Sequence, residues 1–442
     1  MRIFFRTHQK FFSQISKTVR LELSKFYFSF FKNKQNNLNT YTEKTILNKT
    51  YKVAIVGGGA SGLICAVELS SLLGDGKDIV ILERTDRVGK KIIATGNGQC
   101  NLGNANFSSE FYHGDKGFIE QFISQANDVD LDGYLYSLGI PIITEENGKK
   151  YPVSKQASAV LDTIRARLSN YNVCTLTDFM VSDITFKNGI FTLLSEKGKV
   201  QAEKVVIATG GKAGKQFGTD GFGYSLAKKF SHKVTPLYPS LVQVKTELEK
   251  IRGLKGLKER VTAIAYDGNK KLATCTGDLL FTEFGVSGSA IFTLSAYLSG
   301  AKDPKIVVEF MPEFSLEETK NLIADRKKNA ITESGEKVFN CLINKRIGQA
   351  VYKTAKSDKA SDLAYALKNF TLMVKGTLDF ANAQVTKGGI DTADITNNYE
   401  SKLQKGLYLI GEILNVDGDC GGYNLMFAFT TGIVVARDIV KR

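Results

Sequence analysis

The sequence predicts an α/β protein whose central sheet is assembled from both ends of the chain. A buried strand pattern starts at Tyr51, runs into a glycine turn and continues into a helical pattern. Residues 240–310 are rich in strand patterns, whereas residues 315–373 are helical and charged. Strand patterns return at about Thr377 and lead to a helix over residues 423–440. The middle of the chain is therefore expected to be an insertion into a sheet that the two ends share.

The elements before the insertion follow in order. The strand from Tyr51 and the glycine turn are followed by a helix, and DIVILE is a second buried strand. Helical patterns lie near residues 117–138 and 154–169. Residues 173–207 alternate apolar and polar side chains around glycine turns, which predicts a strand meander.

Length and composition exclude several protein classes. The 442 residues suit two or three domains. The chain is 43% hydrophobic with 41 glycines and only 6 prolines, which excludes disordered, collagen-like and disulfide-scaffold proteins. Six cysteines lie far apart and three histidines are scattered, so no metal site is expected. This cysteine usage is typical of a reducing compartment, and we expect the protein in the cytoplasm.

Residues 1–50 form a basic leader. They hold ten Lys and Arg residues against two acidic ones, a net +8 of the chain's +14. No apolar stretch in them approaches the ~20 residues that span a bilayer, so no transmembrane segment is expected. Four interpretations stay open: an organellar transit peptide, an anchor making peripheral membrane contact, an unstructured leader, or a start codon assigned too far upstream. A transit peptide would place the protein in an organelle instead.

The glycine turn has the spacing G-x-G-x-x-G, at Gly57, Gly59 and Gly62. It follows a strand and opens a helix, and Glu83 ends the next strand, which is the context of a dinucleotide site. The first glycine permits the tight turn, the second lets the backbone approach a pyrophosphate, and the third lets the helix pack on the sheet. The helix N-terminus offers free N–H groups to phosphates. Glu83 would accept hydrogen bonds from ribose hydroxyls.

Residues 88–104 indicate which dinucleotide binds. They read VGKKIIATGNGQCNLGN, with glycines that allow close backbone approach and neutral side chains that can hydrogen-bond. Dehydrogenases that bind only NAD do not need such a loop here. A flavoprotein does, because the isoalloxazine ring requires polar partners along one edge. The loop therefore predicts FAD.

Two later segments fit the same cofactor. KVVIATGG is a strand that ends at Thr209 and Gly210. In GLYLIGEILNVDGDCGGYNLMFA, Glu412 ends a strand and can accept ribityl hydroxyls, and the paired glycines allow a tight passage over the ring. The helix after them would place its positive end beside the flavin and stabilise the reduced anion. Asp417 and Asp419 either position the ribityl chain or close a turn.

These segments define the candidate site. One side chain, Tyr423, is a candidate general acid because its phenol lies next to the proposed ring site. The loop Gly218–Gly221 is either functional or a helix cap. The candidate cofactor-binding residues are Gly57, Gly59, Ala60, Ser61, Gly62, Glu83, Arg84, Lys90, Thr95, Gly96, Asn97, Gly98, Cys100, Asn101, Thr209, Gly210, Gly411, Glu412, Asp417, Gly421, Gly422, Asn424 and Leu425.

From residue 51 onward the chain resembles the BaiN/RdsA-type (YhiN-like) FAD-dependent oxidoreductases, also called aminoacetone oxidase family proteins. The resemblance implies a discontinuous Rossmann-type FAD domain with an inserted β-barrel and a helical subdomain. It also implies noncovalent FAD and a nicotinamide electron donor. The matching segments are VAIVGGGASGL, GKKIIATGNGQCN, GTDGFGYSLAKKFSH, GDLLFTEFGVSGSAIFTLSAYL, VTKGGIDTADI and GEILNVDGDCGGYNLMFA.

The resemblance also sets the expected domain boundaries. Residues 1–50 are the leader, 51–240 and 376–442 the FAD domain, 241–312 the barrel and 313–375 the helical subdomain. Departures from the family pattern stand at Gln99, Glu283, Ser289 and Met426. If Gln99 or Glu283 faces the substrate cavity, we expect a substrate different from those of characterised relatives.

The hypothesis is an FAD-dependent oxidoreductase that takes hydride from NADH or NADPH and reduces a small, partly apolar acceptor. Since the sequence shows a single G-x-G-x-x-G, nicotinamide would either bind transiently beside the flavin or be absent. The alternatives are an oxidase that uses oxygen, a flavoprotein acting on RNA, and a membrane-associated dehydrogenase. No nucleic-acid partner is expected, because residues 51–442 show no Lys/Arg stripe with interleaved aromatics.

Overall fold

The computed structural model describes Leu47, residues 49–329 and residues 335–442. The predicted leader, residues 1–50, lies almost wholly outside the described residues. Up to the insertion the elements, numbered in chain order, are β1 (Thr50–Val56), α1 (Ala60–Leu73), β2 (Ile79–Leu82), α2 (Lys90–Ala94), β3 (Gly103–Asn104), β4 (Tyr112–Gly114), α3 (Lys116–Val129), α4 (Leu131–Ser137), β5 (Ile142–Thr144), β6 (Lys149–Pro152), α5 (Ala157–Asn170), β7 (Cys174–Leu176), β8 (Asp183–Lys187), β9 (Ile190–Ser195), β10 (Gly198–Ile207), α6 (Phe222–Lys228) and β11 (Tyr238–Ser240).

A mixed sheet with the strand order β7-β2-β1-β10-β9-β8 forms the centre of this segment. β1 pairs in parallel with β2 and β10, which aligns Val56 with Leu82 and Ile207. Because these strands are parallel, their carboxyl ends meet at one edge, where ligands of such sheets bind. β8, β9 and the start of β10 form an antiparallel meander, as predicted.

The insertion is a closed antiparallel barrel with helices packed on it. Its strands close in the order β12-β15-β14-β13-β16-β17, and this confirms the predicted inserted barrel. Its elements are β12 (Val244–Thr246), β13 (Lys258–Asp267), β14 (Lys270–Phe281), β15 (Gly285–Ser287), α7 (Ser289–Leu298), β16 (Pro304–Phe310), α8 (Leu316–Lys328), α9 (Lys345–Ala355), α10 (Ala360–Lys368) and β17 (Phe370–Thr377).

The barrel extends beyond the predicted range 241–312. β17 closes it by pairing with both β12 and β16, although most of β17 falls in the range predicted as helical. Ile323, Ile347 and Leu363 of the three helices share one buried cluster with the barrel strands. The local pattern could not reveal this, because the partners of β17 are distant in sequence. The division into separate domains stays a prediction.

The chain then returns to the first segment through β18 (Val385–Lys387), β19 (Leu407–Leu409), β20 (Val416–Gly418) and α11 (Tyr423–Lys441). β19 adds to the central sheet in parallel beside β10. β18 pairs with β11, and β20 pairs with β4. Both ends of the chain therefore build one Rossmann-like α/β unit, as predicted.

α11 is buried in the core of this unit. Among the described helices it is long and apolar enough to cross a membrane, but 72% of its most apolar window is buried inside the protein. It packs along α1 so closely that a Cβ at Gly432 would lie 2.6 Å from the Ser61 carbonyl oxygen. Packing against α1, and to a smaller extent against α3, accounts for the apolar character of α11.

Candidate active site

A cavity of about 720 Å³ lies at the carboxyl edge of the central sheet and extends to the barrel. Its walls come from the turn after β1, the loop after β2, α2 and the turn that follows it, the loop after β10, and the N-terminus of α11. The barrel contributes the opposite wall. Segments that are remote in sequence thus converge on one site.

The three motif glycines serve different purposes in this turn. A Cβ at Gly57, whose φ is +107°, would lie 2.5 Å from the Ala208 carbonyl oxygen. A Cβ at Gly62 would lie 2.2 Å from the Gly57 carbonyl oxygen, so Gly62 packs the helix on the turn and does not line the cavity. At Gly59 the nearest atom would be 3.9 Å away. The second glycine therefore leaves room for a ligand beside the free N–H groups of α1.

Glu83 braces this turn from the end of β2. Its Oε2 accepts a hydrogen bond from the Gly58 N–H at 2.9 Å, and its Oε1 accepts from both the N–H and the hydroxyl of Thr85 at 2.8 Å. The side chain also lines the cavity. Its remaining lone pairs can accept ribose hydroxyls, whereas its charge repels a phosphate at that position.

The neighbouring Arg84 pairs with Asp220, from the loop after β10, at 2.7 Å. Asp220 also accepts a hydrogen bond from the Phe222 N–H at 2.9 Å and so caps α6. Burial opposes ionisation of Asp220, but the bonds from Arg84 and Phe222 outweigh it and hold its pKa below the ordinary value. The loop Gly218–Gly221 lines the cavity and accepts the first N–H of α6, and its functional role stays a prediction.

The turn after α2 reverses sharply. Gly96, Asn97, Gly98 and Cys100 all adopt left-handed backbone conformations. This turns Thr95, Gly96, Asn97 and Asn101 toward the cavity, whereas Gly98 is exposed and does not line it. Cys100 is fully buried away from the cavity, and burial raises the pKa of its thiol to about 11. Gly98 and Cys100, which were predicted to contact the cofactor, therefore lie outside the cavity wall.

The start of α11 closes the site on the other side. Gly422, with φ +101°, precedes the helix, and a Cβ there would lie 2.4 Å from the Gly103 carbonyl oxygen. The Asn424 amide accepts from the Gly418 N–H at 2.9 Å and donates to the Gly418 carbonyl at 2.7 Å. Gly421, Gly422, Asn424 and Leu425 line the cavity, so the positive end of α11 faces it.

Tyr423 does not line the cavity, and the structure argues against its predicted acid role. Its ring stacks on Phe111 with centroids 4.8 Å apart, and its hydroxyl donates to the Asn106 carbonyl at 2.9 Å. Burial raises the pKa of its phenol well above the ordinary value. The helical turn after Gly422 directs its side chain into the protein.

Two further candidates lie outside the cavity wall. A Cβ at Gly411 would lie 2.7 Å from the Ser61 hydroxyl, so Gly411 packs on α1. Asp417 is buried on β20, where its Oδ2 accepts a hydrogen bond from the Ser240 hydroxyl at 3.1 Å. The side chain of Asp417 therefore lies at the junction with β11, outside the cavity wall where one of its two predicted roles, the ribityl contact, would place it.

An ion pair at the cavity wall involves a lysine that the sequence pattern did not single out. Lys91 Nζ lies 2.7 Å from Glu412 Oε2 and donates to the Ala213 carbonyl at 3.2 Å. The other oxygen of Glu412 accepts from the Thr386 N–H at 2.9 Å. The predicted Lys90 also lines the cavity but pairs with the exposed Asp86. The local sequence could not distinguish two adjacent lysines.

The barrel wall was likewise not predicted from the sequence. Lys258 pairs with Asp278 at 2.8 Å, and Leu280 and Phe292 give the wall an apolar part. Both Gln99 and Ser289 line the cavity. Glu283 does not line it, because it pairs with Lys255 at 2.7 Å on the exposed surface.

The lining residues fit FAD. The turn at Gly59 leaves space for a pyrophosphate, and Glu83 stands where a ribose is expected. Asn101 Oδ1 is buried and has no hydrogen-bond partner among the described residues, so it can accept an N–H such as that of the isoalloxazine ring. The remaining predicted residues that line this cavity are Ala60, Ser61, Thr209 and Gly210.

Comparison with known proteins identifies relatives of the chain. The family model described as HI0933-like protein Rossmann domain matches residues 51–438. A 3-dehydro-bile acid Δ(4,6)-reductase of Clostridium scindens is 31% identical over 88% of this chain and 99% of its own length. Ribosomal RNA dihydrouridine synthases of Haemophilus influenzae and Escherichia coli are each 26% identical over 88% of this chain and 98% of their own length. The chain belongs to the HI0933-like Rossmann family and is an FAD-dependent oxidoreductase.

Proposed function

We propose that the protein takes hydride from NADH or NADPH onto FAD and reduces a conjugated double bond in a small, partly apolar acceptor. The observation that carries this proposal is the composition of the cavity. One end has the features of a dinucleotide site, and the barrel end combines Leu280 and Phe292 with the polar Ser289. The reductase relative from C. scindens, which matches nearly over its full length, supports an acceptor of this class.

Different residues would hold different parts of the cofactor. FAD, when bound, supplies two-electron chemistry between the nicotinamide and the acceptor. The N–H groups of α1 would neutralise its pyrophosphate, and Glu83 would orient a ribose. The Lys91–Glu412 pair fixes the wall beside the loop after β10. The N-terminus of α11 would stabilise negative charge on the reduced ring.

Nicotinamide is proposed to bind transiently. Residues 51–442 contain one G-x-G-x-x-G motif, which we have already assigned to FAD, so no second motif of this kind is left for nicotinamide.

We also propose that the protein is cytoplasmic, because all six of its cysteines are free thiols. The organellar alternative depends on residues 1–50.

A second candidate is reduction of a pyrimidine in RNA. Two of the relatives are ribosomal RNA dihydrouridine synthases, and Lys149 and Lys258 line the cavity. That reaction also reduces a conjugated carbon–carbon double bond, so the same flavin chemistry would serve. We rank it second because those relatives are less similar to this chain than the reductase is.

Anaerobic mixing tests the proposal. The FAD-loaded protein is mixed with NADH or NADPH, and we expect at least one of them to bleach the flavin absorbance. Reoxidation is then followed with a 3-oxo-4,6-diene steroid, a uridine-containing RNA, or air. Fast reoxidation by the steroid supports the proposal, whereas reoxidation by RNA alone or air alone would favour an alternative. Absence of bleaching by either nucleotide would refute the nicotinamide donor.

A further inference from the structure

We propose that Asp419 is the acid that protonates the acceptor and that His113 is the residue that positions it. This inference rests on the proposed function, because it assumes that the acceptor gains a hydride and then a proton. His113 does not line the cavity, whereas Asp419 does. Asp419 would thus take the acid role for which Tyr423 is wrongly placed.

The backbone places these side chains together. β4 and β20 form a two-stranded antiparallel ribbon in which His113 stands opposite Asp417. The Asp419 N–H donates to the Phe111 carbonyl at 2.9 Å, so the ladder continues past Gly418. Since side chains alternate along a strand, Asp417 and Asp419 project from the same face as His113.

The side chains form a direct hydrogen bond. His113 Nε2 lies 2.9 Å from Asp419 Oδ1, with only 15% and 11% of the two side chains exposed. The Tyr297 ring of α7 packs edge-on against the imidazole with centroids 4.8 Å apart, which fixes the ring plane. Oδ1 is engaged by His113, so Oδ2 is the atom left for a molecule in the cavity. The His113–Asp419 pair therefore contacts the barrel helix α7 through Tyr297 and lines the cavity through Asp419.

The His113–Asp419 pair lies among other titratable groups. Asp417 and Asp419 project from the face of the β4–β20 ribbon that carries the His113 imidazole. Burial raises the pKa of the Asp417 carboxyl to about 6, and the charges of His113 and Lys387 oppose that rise. Other titratable groups that interact with the cluster are Tyr297, Glu110, Cys275, Cys420 and Lys149.

Atoms and electrons balance for a conjugated C=C–C=O acceptor. Reduced FAD, when bound, would supply a hydride, which carries two electrons, to one carbon and would itself be oxidised. The adjacent carbon gains a proton from Oδ2 of Asp419, so the double bond becomes a single bond. The carboxylate that remains is stabilised by the Nε2–H of His113 and is reprotonated from solvent.

The test separates the two half-reactions of the FAD-loaded full-length protein. Asp419→Asn is expected to slow flavin reoxidation by a 3-oxo-4,6-diene steroid by about 100-fold, a typical contribution of general acid catalysis. Reduction by nicotinamide and FAD affinity, measured by flavin fluorescence, should change less than about twofold. Asp419→Glu keeps the carboxyl and should recover part of the rate. His113→Gln should change the pH profile of reoxidation more than the affinity for the steroid.

A second readout does not depend on turnover. The chain has three histidines, so ¹⁵N-histidine labelling gives few imidazole signals. Asp419→Asn should shift the His113 ring nitrogens and their titration and leave those of His232 unchanged. The matched control is Asp128→Asn, which makes the same change at an exposed carboxylate on α3. It should alter neither reoxidation nor the His113 signals.

The outcomes distinguish the two proposals. If the steroid reoxidises the wild-type flavin and Asp419→Asn reoxidises it equally fast, the acid role is refuted and the proposed function stands. Equal slowing of both half-reactions would also overturn the acid role, because it indicates a general structural defect. If the wild-type flavin is not reoxidised by the steroid, the proposed function fails and this inference fails with it.

Discussion

A methyl group added at Gly59 or Gly62 would have different effects, although both belong to the same turn. At Gly59 the added Cβ would face the cavity, and the backbone at φ −85° suits alanine. We expect Gly59→Ala to fold with nearly unchanged free energy of unfolding but to bind FAD at least about tenfold more weakly, a loss of ~1.4 kcal/mol. Thermal unfolding of the apoprotein and flavin fluorescence titration measure the two effects.

Gly62→Ala is the matched comparison. Its Cβ would lie 2.2 Å from the Gly57 carbonyl oxygen, so the helix must move away from the turn. We expect a loss of about 1–3 kcal/mol in the free energy of unfolding, which is typical of overpacking. If both variants lost stability equally, the cavity at Gly59 would not be the ligand space that we infer.

Lys91 and Lys90 offer a second comparison of adjacent residues. Lys91→Met would leave Glu412 without its cation in a site where 18% of that side chain is exposed. We expect the free energy of unfolding to fall by about 1–3 kcal/mol. This is less than for a fully buried pair, because both side chains are partly exposed. Lys90→Met removes a pair with a mostly exposed aspartate and should change stability by less than about 1 kcal/mol. Chemical denaturation measures both, and a larger loss for Lys90→Met would contradict this assignment.

At the scale of elements, the β4–β20 ribbon predicts a pH dependence of stability. The pKa of Asp417 is raised by burial to about 6 in the folded protein. The contribution of Asp417 to the free energy of unfolding is therefore fully present below its ordinary pKa, 3.8. It is lost as pH rises through about 6. Asp417→Asn keeps an oxygen that accepts the hydrogen bond from Ser240. Because the amide does not ionise, the variant should not lose this stability as pH rises.

Unfolding at two pH values measures the effect. Between pH 4 and pH 7, we expect the free energy of unfolding of Asp417→Asn to rise relative to wild type by on the order of 3 kcal/mol. Asp128→Asn, at an exposed site on α3, is the control and should track the wild type. Parallel pH profiles for wild type and Asp417→Asn would show that the carboxyl titrates normally in the folded state.

At the scale of the whole molecule, the barrel and the central sheet each supply part of one cavity. The basic excess lies elsewhere, since over half of the net charge of +14 falls in residues 1–50. We expect a chain of residues 49–442 to keep FAD and its reduction by nicotinamide, because it retains β1 and the Lys49–Asp78 pair. Absorbance spectra and anaerobic reduction measure this directly.

The same shortened chain tests the RNA alternative. Loss of the basic leader should weaken nonspecific RNA binding and flatten its salt dependence, because fewer counterions are released. Filter binding at several salt concentrations gives the slope. A shortened chain that bound RNA as tightly as the full chain, with a steep slope, would move RNA from second candidate to first.

Local pattern was sufficient for the parts of the site that lie within one strand-turn-helix unit. Gly62 and Glu83 contact the turn within about 30 residues, so the spacing of the motif carries the information about them, although Gly57 is also restricted by the remote Ala208 carbonyl. At the start of α11 the glycine pair also marked a backbone turn, and Gly422 has a positive φ, although the contact that excludes a side chain there comes from the remote Gly103. The order of residue types along the chain was enough to assign these positions.

Tertiary structure decided the rest, because the deciding contacts join residues that are remote in the chain. Packing between distant segments decides three features of the site. Lys91, not Lys90, pairs with Glu412, the Tyr423 side chain points away from the cavity, and His113 pairs with Asp419. The sixth barrel strand likewise depends on partners far away in sequence. The sequence by itself determined a Rossmann-type flavin protein with an insertion, since strand, turn and helix patterns are local. Which side chains line the cavity was decided by the fold, which brings the barrel against the sheet.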